Sequence, residues 1–144
     1  MEHETFMREA LSLAREAAAR GEVPVGCVIV RGGEIVGRGR NRREEKQSAA
    51  SHAELEAIAD ANARLGSWRL EDCALYVTLE PCPMCAGAMA WAQLGRVVYG
   101  APDQRRGYSI FTPSLLHPRT EAVGGILQEE CVQLMLDFFK DKRS

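Results

Sequence analysis

The chain is expected to fold as an α/β protein, with a largely parallel sheet covered by helices on both faces. Two observations carry this expectation. Short apolar segments of strand length alternate with segments of helical period, and two of the apolar segments are separated only by Gly32-Gly33. Alternation implies parallel strands joined by helical crossovers, while the close pair implies an antiparallel hairpin at the sheet edge. The 144 residues read as a single domain, 1–144, large enough to bury roughly 70% of its unfolded surface.

Residues 5–19 set Phe6, Ala10, Leu13, Ala14 and Ala17 at helical spacing and stop at Gly21. Residues 24–30 are rich in Val and Ile, and after Gly32-Gly33 residues 34–39 complete a hairpin. Residues 42–50 are polar and read as a loop. Residues 51–65 form a helix with Leu55, Ile58, Ala59 and Leu65 on its apolar side and Gly66 as its stop. Residues 74–79 form a buried strand. Pro81 then opens a helix reaching Leu94, since proline suits a first helical position. Residues 97–101 form another buried strand. Residues 102–121 carry three prolines and no period, so they read as loop with a short helix near Ser114. A weak strand over 122–127 precedes a closing helix striped by Cys131, Val132, Met135, Leu136 and Phe139. Five strands result, in one mixed sheet.

Composition narrows the class. Hydrophobic content of 46% and charged content of 26% are those of an ordinary globular protein. No stretch approaches the roughly 20 apolar residues of a membrane span, so no membrane partner is expected. Met1-Glu2-His3-Glu4 lacks the regions of a signal peptide, and five cysteines do not suit a secreted disulfide framework. A cytoplasmic location is expected. The net charge is −2 and the pI about 5.9, so any contact with nucleic acid must rest on a local basic patch.

The chemistry lies in two segments, Ser51-His52-Ala53-Glu54 and Glu80-Pro81-Cys82-Pro83-Met84-Cys85. His52, Cys82 and Cys85 supply three metal ligands of the kind zinc takes, and three ligands leave the fourth tetrahedral position open, as in catalytic sites. Both segments fall at the start of a helix, where unpaired N–H groups and the positive dipole end favour thiolates. Two thiolates and an imidazole offset the charge of zinc, so a base is needed nearby, and Glu54 is the carboxylate placed to serve. The order H-x-E…P-C-x-x-C is the signature of zinc deaminases. Simpler readings exist for the parts. Ser51-x-x-Glu54 also spells a capping box, the Cys-x-x-Cys pair also spells a redox motif, and Cys73 or His117 could close a structural site. Cys27, Cys73 and Cys131 lie in or beside apolar segments and read as core residues.

Beyond the motif, residues 25–30, the segment Gly37-Arg38-Gly39-Arg40-Asn41, His52-Ala53-Glu54, residues 76–89 and the C-terminal stretch from Gly125 to Phe139 resemble the bacterial tRNA-specific adenosine deaminases. The resemblance covers nearly the whole chain. It implies a cytidine-deaminase-like three-layer α/β/α sandwich, a homodimer, one zinc ion per chain, and conversion of the wobble adenosine of a tRNA anticodon loop to inosine. Carried over by motif, His52, Cys82 and Cys85 would bind zinc and Glu54 would move protons. Asn41 would contact the target base and Asp103 the neighbouring nucleotide. Asn41 also reads as a turn residue ending a strand. Residues 105–124 depart from the family's usual pattern, and the basic C-terminal extension is short.

Arg38, Arg40, Arg42 and Arg43 with Arg105 and Arg106 are candidate RNA contacts, and Tyr108 and Phe111 are candidate stacking residues. Arginines on a hairpin edge also discourage strand pairing, and Phe111 also suits a core position. The alternative substrate is a small purine: the Pro83-Met84-Cys85 spelling and Trp91 also resemble guanine deaminases, which act on a free base. A zinc-stabilised scaffold without activity has no use for Glu54 at an open metal position.

Overall fold

The computed structural model describes residues 2–111 and 115–143. The chain runs α1 (Glu2–Ala19), β1 (Gly26–Arg31), β2 (Glu34–Arg40), α2 (Arg43–Lys46), α3 (Ala53–Leu65), β3 (Ala74–Leu79), α4 (Pro83–Ala92), β4 (Arg96–Ala101), α5 (Tyr108–Phe111), β5 (Glu121–Val123) and α6 (Gln128–Arg143). The five strands lie in the order β2-β1-β3-β4-β5. β1 is antiparallel to both β2 and β3, while β3, β4 and β5 are parallel.

The strand period of two builds two cores from one sheet. Cys27, Ile29, Leu75, Val77 and Val97 face α3 and α4, where they meet Ala57, Ile58 and Met89. Val28, Val30, Tyr76 and Val98 face the other way and meet Met7 and Leu11 of α1 and Cys131 of α6. The result is the expected three-layer α/β/α sandwich. Gly32 and Gly33 both have positive φ, at 59° and 81°, the conformation that a tight hairpin turn requires.

Several boundaries differ from the expectations. The helix expected from Pro81 begins at Pro83 with Cys82 as its N-cap, in extended backbone. Proline disfavours helical geometry in the residue before it, so Pro83 holds Cys82 outside the helix. The expected loop at 42–50 contains one turn of helix, α2, and β5 is shorter than its apolar run. One turn of helix, α5, forms at Tyr108–Phe111 within the expected loop, and the short helix expected near Ser114 lies outside the described residues.

Because β1 is antiparallel to β2 and to β3, strands β2, β3 and β4 all run in the same direction. Their C-terminal ends open on one edge of the sheet, the usual crevice for ligands in such folds. Asn41, Glu80 and Asp103 follow those three ends within one or two residues.

Candidate active site and metal centre

Close packing of α3 on β2 sets the first half of the site. A Cβ on Gly39 would collide with the Ala53 carbonyl oxygen and stand 2.6 Å from the Ala57 nitrogen, so bare glycine lets helix and strand meet backbone to backbone. Gly37, two residues earlier on the same face, meets Ala57 and Ala61 in the same way. His52 is the N-cap of α3 but makes no side-chain cap bond. The cap comes instead from Asn41, whose Oδ1 accepts the Ala53 N–H at 2.9 Å. Asn41 is buried, and this bond commits its oxygen, leaving Nδ2 as its remaining donor group. The capping box that Ser51 and Glu54 spell is therefore not formed.

Cys82 caps α4 in sequence position, and Cys85 follows in the first turn. His52 Nδ1 lies 3.8 Å from Cys82 Sγ and 3.5 Å from Cys85 Sγ. Zinc bonds of about 2.0–2.3 Å in a tetrahedron put neighbouring donors roughly 3.5–3.8 Å apart. The donor set therefore fits one zinc ion, and all its ligand atoms lie within 4.8 Å of one another. Cys73 and His117 stand elsewhere: Cys73 is buried beside Asp72, and His117 accepts the Arg119 N–H. Neither supplies a fourth ligand.

The cysteines are polarised against each other. The Cys82 thiol is pushed down to about 4, chiefly by the hydrogen bond with Cys85 and also by that with His52. The Cys85 thiol is pushed up by the same bond and by burial. A metal held here would take both cysteines as thiolates, so its binding would release protons. The hydrogen bond with Cys82 also raises His52. Glu54, one turn into the same site, is only 4% exposed. Burial pushes its carboxyl up to about 7, where a group can both hold and release a proton near neutral pH.

Above these residues lies a cleft of about 850 Å³, at the upper end of small-molecule sites. Val23, Val25 and Leu79 line its depth with Asn41, His52, Glu54 and Cys82, while Arg43, Asp103, Arg105 and Arg106 line its rim. Asp103 Oδ1 accepts the backbone N–H groups of Arg105 and Arg106, each at 3.0 Å, so this acidic side chain shapes the turn that presents both arginines. Neither arginine forms an ion pair among the described residues.

Three expected contacts do not reach the cleft. Arg38 and Arg40 alternate with Gly37 and Gly39 and so project from the opposite face of β2. Arg40 pairs there with Glu16 of α1 and with Glu45, and Arg38 is exposed outside the cleft lining. Arg42 is occupied by Glu45 and Glu56. Tyr108 is buried, so it has no free face for stacking, whereas Phe111 is 62% exposed and does not cover the core.

Sequence reasoning missed two buried acids. Glu80 accepts the N–H of Asp103 at 3.1 Å, and the N–H and hydroxyl of Ser109 at 3.1 and 2.6 Å. Glu22 accepts the N–H groups of Glu44 and Glu45 at the start of α2. Each acid holds one lip of the cleft. The available signal was a lone carboxylate directly abutting an apolar strand or turn. The apolar wall from α6, including Met135 and Phe139, was also read only as a core stripe.

Residues 1–101 match the family described as the cytidine and deoxycytidylate deaminase zinc-binding region. The chain is 46% identical over 143 residues to the tRNA-specific adenosine deaminase of Streptococcus pyogenes serotype M18, covering 96% of this chain and 90% of that protein. It belongs to the tRNA-specific adenosine deaminase family. The Bacillus subtilis strain 168 member of this family is 45% identical over 145 residues, covering 97% of this chain and 90% of its own. A solved tRNA:A34 deaminase, described with A-to-I editing at the wobble position, superposes with a TM-score of 0.84 at 38% identity, over 90% of this chain and 98% of that one. Guanine deaminase from Bacillus subtilis superposes with a TM-score of 0.70 at 38% identity, over 82% of this chain and 79% of that one. The chain is thus a deaminase of the zinc-dependent class, and zinc is its cofactor.

Proposed function

We propose that the chain deaminates adenosine to inosine in tRNA, at the wobble position of the anticodon loop, with one zinc ion held by His52, Cys82 and Cys85. The observation that carries the reaction is a buried carboxylate, Glu54, beside a His-Cys-Cys donor set whose fourth position faces a cleft. Zinc in this site supplies Lewis acidity that makes a water molecule a competent nucleophile at neutral pH. Glu54 takes the proton from that water at a carboxylate oxygen. It gives this proton to the purine ring nitrogen and then carries the remaining proton of the added hydroxyl to the amino group, so that the C–N bond breaks, ammonia leaves and the keto base remains. Asn41, its oxygen spent on the α3 cap, offers its Nδ2 hydrogens to the acceptor edge of the base. Asp103, with Oδ1 committed to its own turn, offers its other oxygen to the adjoining nucleotide.

The substrate reading rests on two supports. Relatives described as tRNA-specific cover nearly the whole chain, and the cleft lining includes Arg43, Arg105 and Arg106 beside the residues around the donor set. Those three cations compensate locally for a net charge of −2. Arg38 and Arg40 take no part in this proposal. A free base, guanine above all, is the second reading, and the likeness to a guanine deaminase supports it.

A homodimer is proposed with it. Helix α4 is apolar on all sides, which suits a helix buried all round. Yet Met84 is 45% and Trp91 82% exposed on its outer face, and a Cβ on Gly87 would meet nothing within 4 Å. A second copy covering this face would resolve the mismatch. Among the described residues no helix is long and apolar enough to cross a membrane, and a cytoplasmic location is proposed to match a tRNA substrate.

The test incubates the purified, zinc-loaded protein with a cellular tRNA pool and separately with guanine, adenosine and cytosine, and analyses the products by mass. Inosine in tRNA is expected, with RNA binding falling steeply as salt rises. Replacing Arg105 and Arg106 together by alanine should weaken tRNA turnover and leave the zinc content intact. Absence of inosine in every tRNA, alongside rapid conversion of a free base, overturns the substrate reading.

A further inference from the structure

Glu80 is a carboxylate that the reaction does not use, and its surroundings are unusual. It is 4% exposed, and among the described residues it has no ion-pair partner. A buried charge needs compensation. Here the compensation comes from three donors of one loop, the Asp103 and Ser109 N–H groups and the Ser109 hydroxyl. The loop closes tightly around it. Gly107 donates its N–H to the Asp103 carbonyl, Tyr108 donates to the Pro81 carbonyl, and a Cβ on Gly107 would lie 2.5 Å from the Glu80 carboxyl carbon. Glu80 itself stands between the end of β3 and Cys82, with its own N–H given to the Ala101 carbonyl. One side chain thus ties the loop that presents Asp103, Arg105 and Arg106 to the segment that carries a metal ligand.

We propose that Glu80 is a positioning residue: its buried carboxylate fixes the height and angle of the 103–109 rim over the metal centre, and so sets how the polynucleotide flanking the target base is held. A carboxylate suits this task because both oxygens accept. In Glu80→Gln one oxygen becomes an NH₂ group facing a backbone donor, so shape is kept while one anchor becomes a repulsion. The kinetic part of the test rests on the tRNA reading above, and the exchange part does not.

The experiment compares wild type with Glu80→Gln as zinc-loaded protein. Amide hydrogen exchange at Asp103, Gly107 and Ser109 should quicken by roughly tenfold or more, the factor expected for one lost charge-assisted hydrogen bond, with the β3 amides unchanged. KM for an anticodon stem-loop RNA should rise by about the same factor, with a smaller change in kcat and zinc content retained. In a background with Arg105 and Arg106 already replaced by alanine, the KM effect of Glu80→Gln should largely vanish, because both changes disable the same rim. Should Glu80→Gln fail to fold, Ser109→Ala removes one donor and should move exchange and KM in the same direction by less. Unchanged exchange in the rim overturns the proposal, whatever the substrate. An equal loss of kcat and KM performance that adds to the arginine change also overturns it, by marking Glu80 as part of general stability alone. A wild type that makes no inosine sinks the tRNA reading instead, and the exchange result then judges Glu80.

Discussion

Replacing Asn41 by alanine removes a helix cap and a candidate substrate donor at once, whereas replacing it by aspartate keeps the capping oxygen, removes the donor and adds a charge at the helix start. The distinction follows from the bond between Asn41 Oδ1 and the Ala53 N–H at 2.9 Å. Losing such a cap costs about 1 kcal/mol. For a chain of 144 residues that lowers Tm by about 3–4 °C. Aspartate keeps an oxygen for the Ala53 N–H and places negative charge at a helix start, where it is favourable, so Asn41→Asp should melt within about 1 °C of wild type. Both variants should lose roughly 10–100-fold in kcat/KM, because neither offers an N–H to the base. Calorimetry on the zinc-loaded protein reads the first quantity and single-turnover deamination of an anticodon stem-loop reads the second. An Asn41→Ala variant that melts early but turns over normally would make Asn41 a cap and nothing more. An Asn41→Asp variant with full activity would refute the donor role outright.

Glu54→Gln should fold and keep its zinc while losing roughly 10²–10⁴-fold in turnover, as for any general acid/base; near-normal turnover with intact metal would remove Glu54 from the chemistry. Cys82→Ala should weaken zinc binding by more than the roughly 10–100-fold that losing an outer hydrogen-bond partner costs, and a full zinc complement by metal analysis would contradict the assignment. Gly39→Ala forces a Cβ against the Ala53 carbonyl and the Ala57 nitrogen, so it should cost about 1–3 kcal/mol and reduce zinc occupancy through displacement of His52. A Gly39→Ala protein with wild-type Tm and metal content would show that α3 is not seated as described.

What the sequence made legible and what it hid divide along a physical line. The cluster of His52, Cys82 and Cys85 was visible because few residue types bind zinc and the tetrahedral geometry restricts their spacing. The helices and β3 were visible because their apolar periods are long and regular. Asn41 as the cap of α3, and Glu80 and Glu22 as loop anchors, were not legible from local pattern. Each is a side chain bonding to backbone N–H groups 12 to 29 positions away, and no local pattern encodes such a distance. The arginines were misread for a related reason. Composition displays charge, but strand alternation decides which face carries it, and Arg40 spends its charge on Glu16 and Glu45.

The same topology separates what seats the donors from what forms the rim. The candidate metal donors stand at the start of α3, seated by glycines on β2, and at the start of α4, whose Cys85, Ala86 and Met89 pack in the buried core. The rim follows β4, is anchored by one carboxylate, and is exposed along residues 104–106. A change in the rim therefore disturbs few buried contacts, whereas a change beneath the donors disturbs many. Of the segment that follows β4, Arg105 and Arg106 line the cleft, whereas Leu116 packs in the core and Glu121–Val123 forms the edge strand β5. On this architecture a change at Arg105 or Arg106 should alter how the rim holds its ligand, while His52, Glu54, Cys82 and Cys85 keep the same relative geometry.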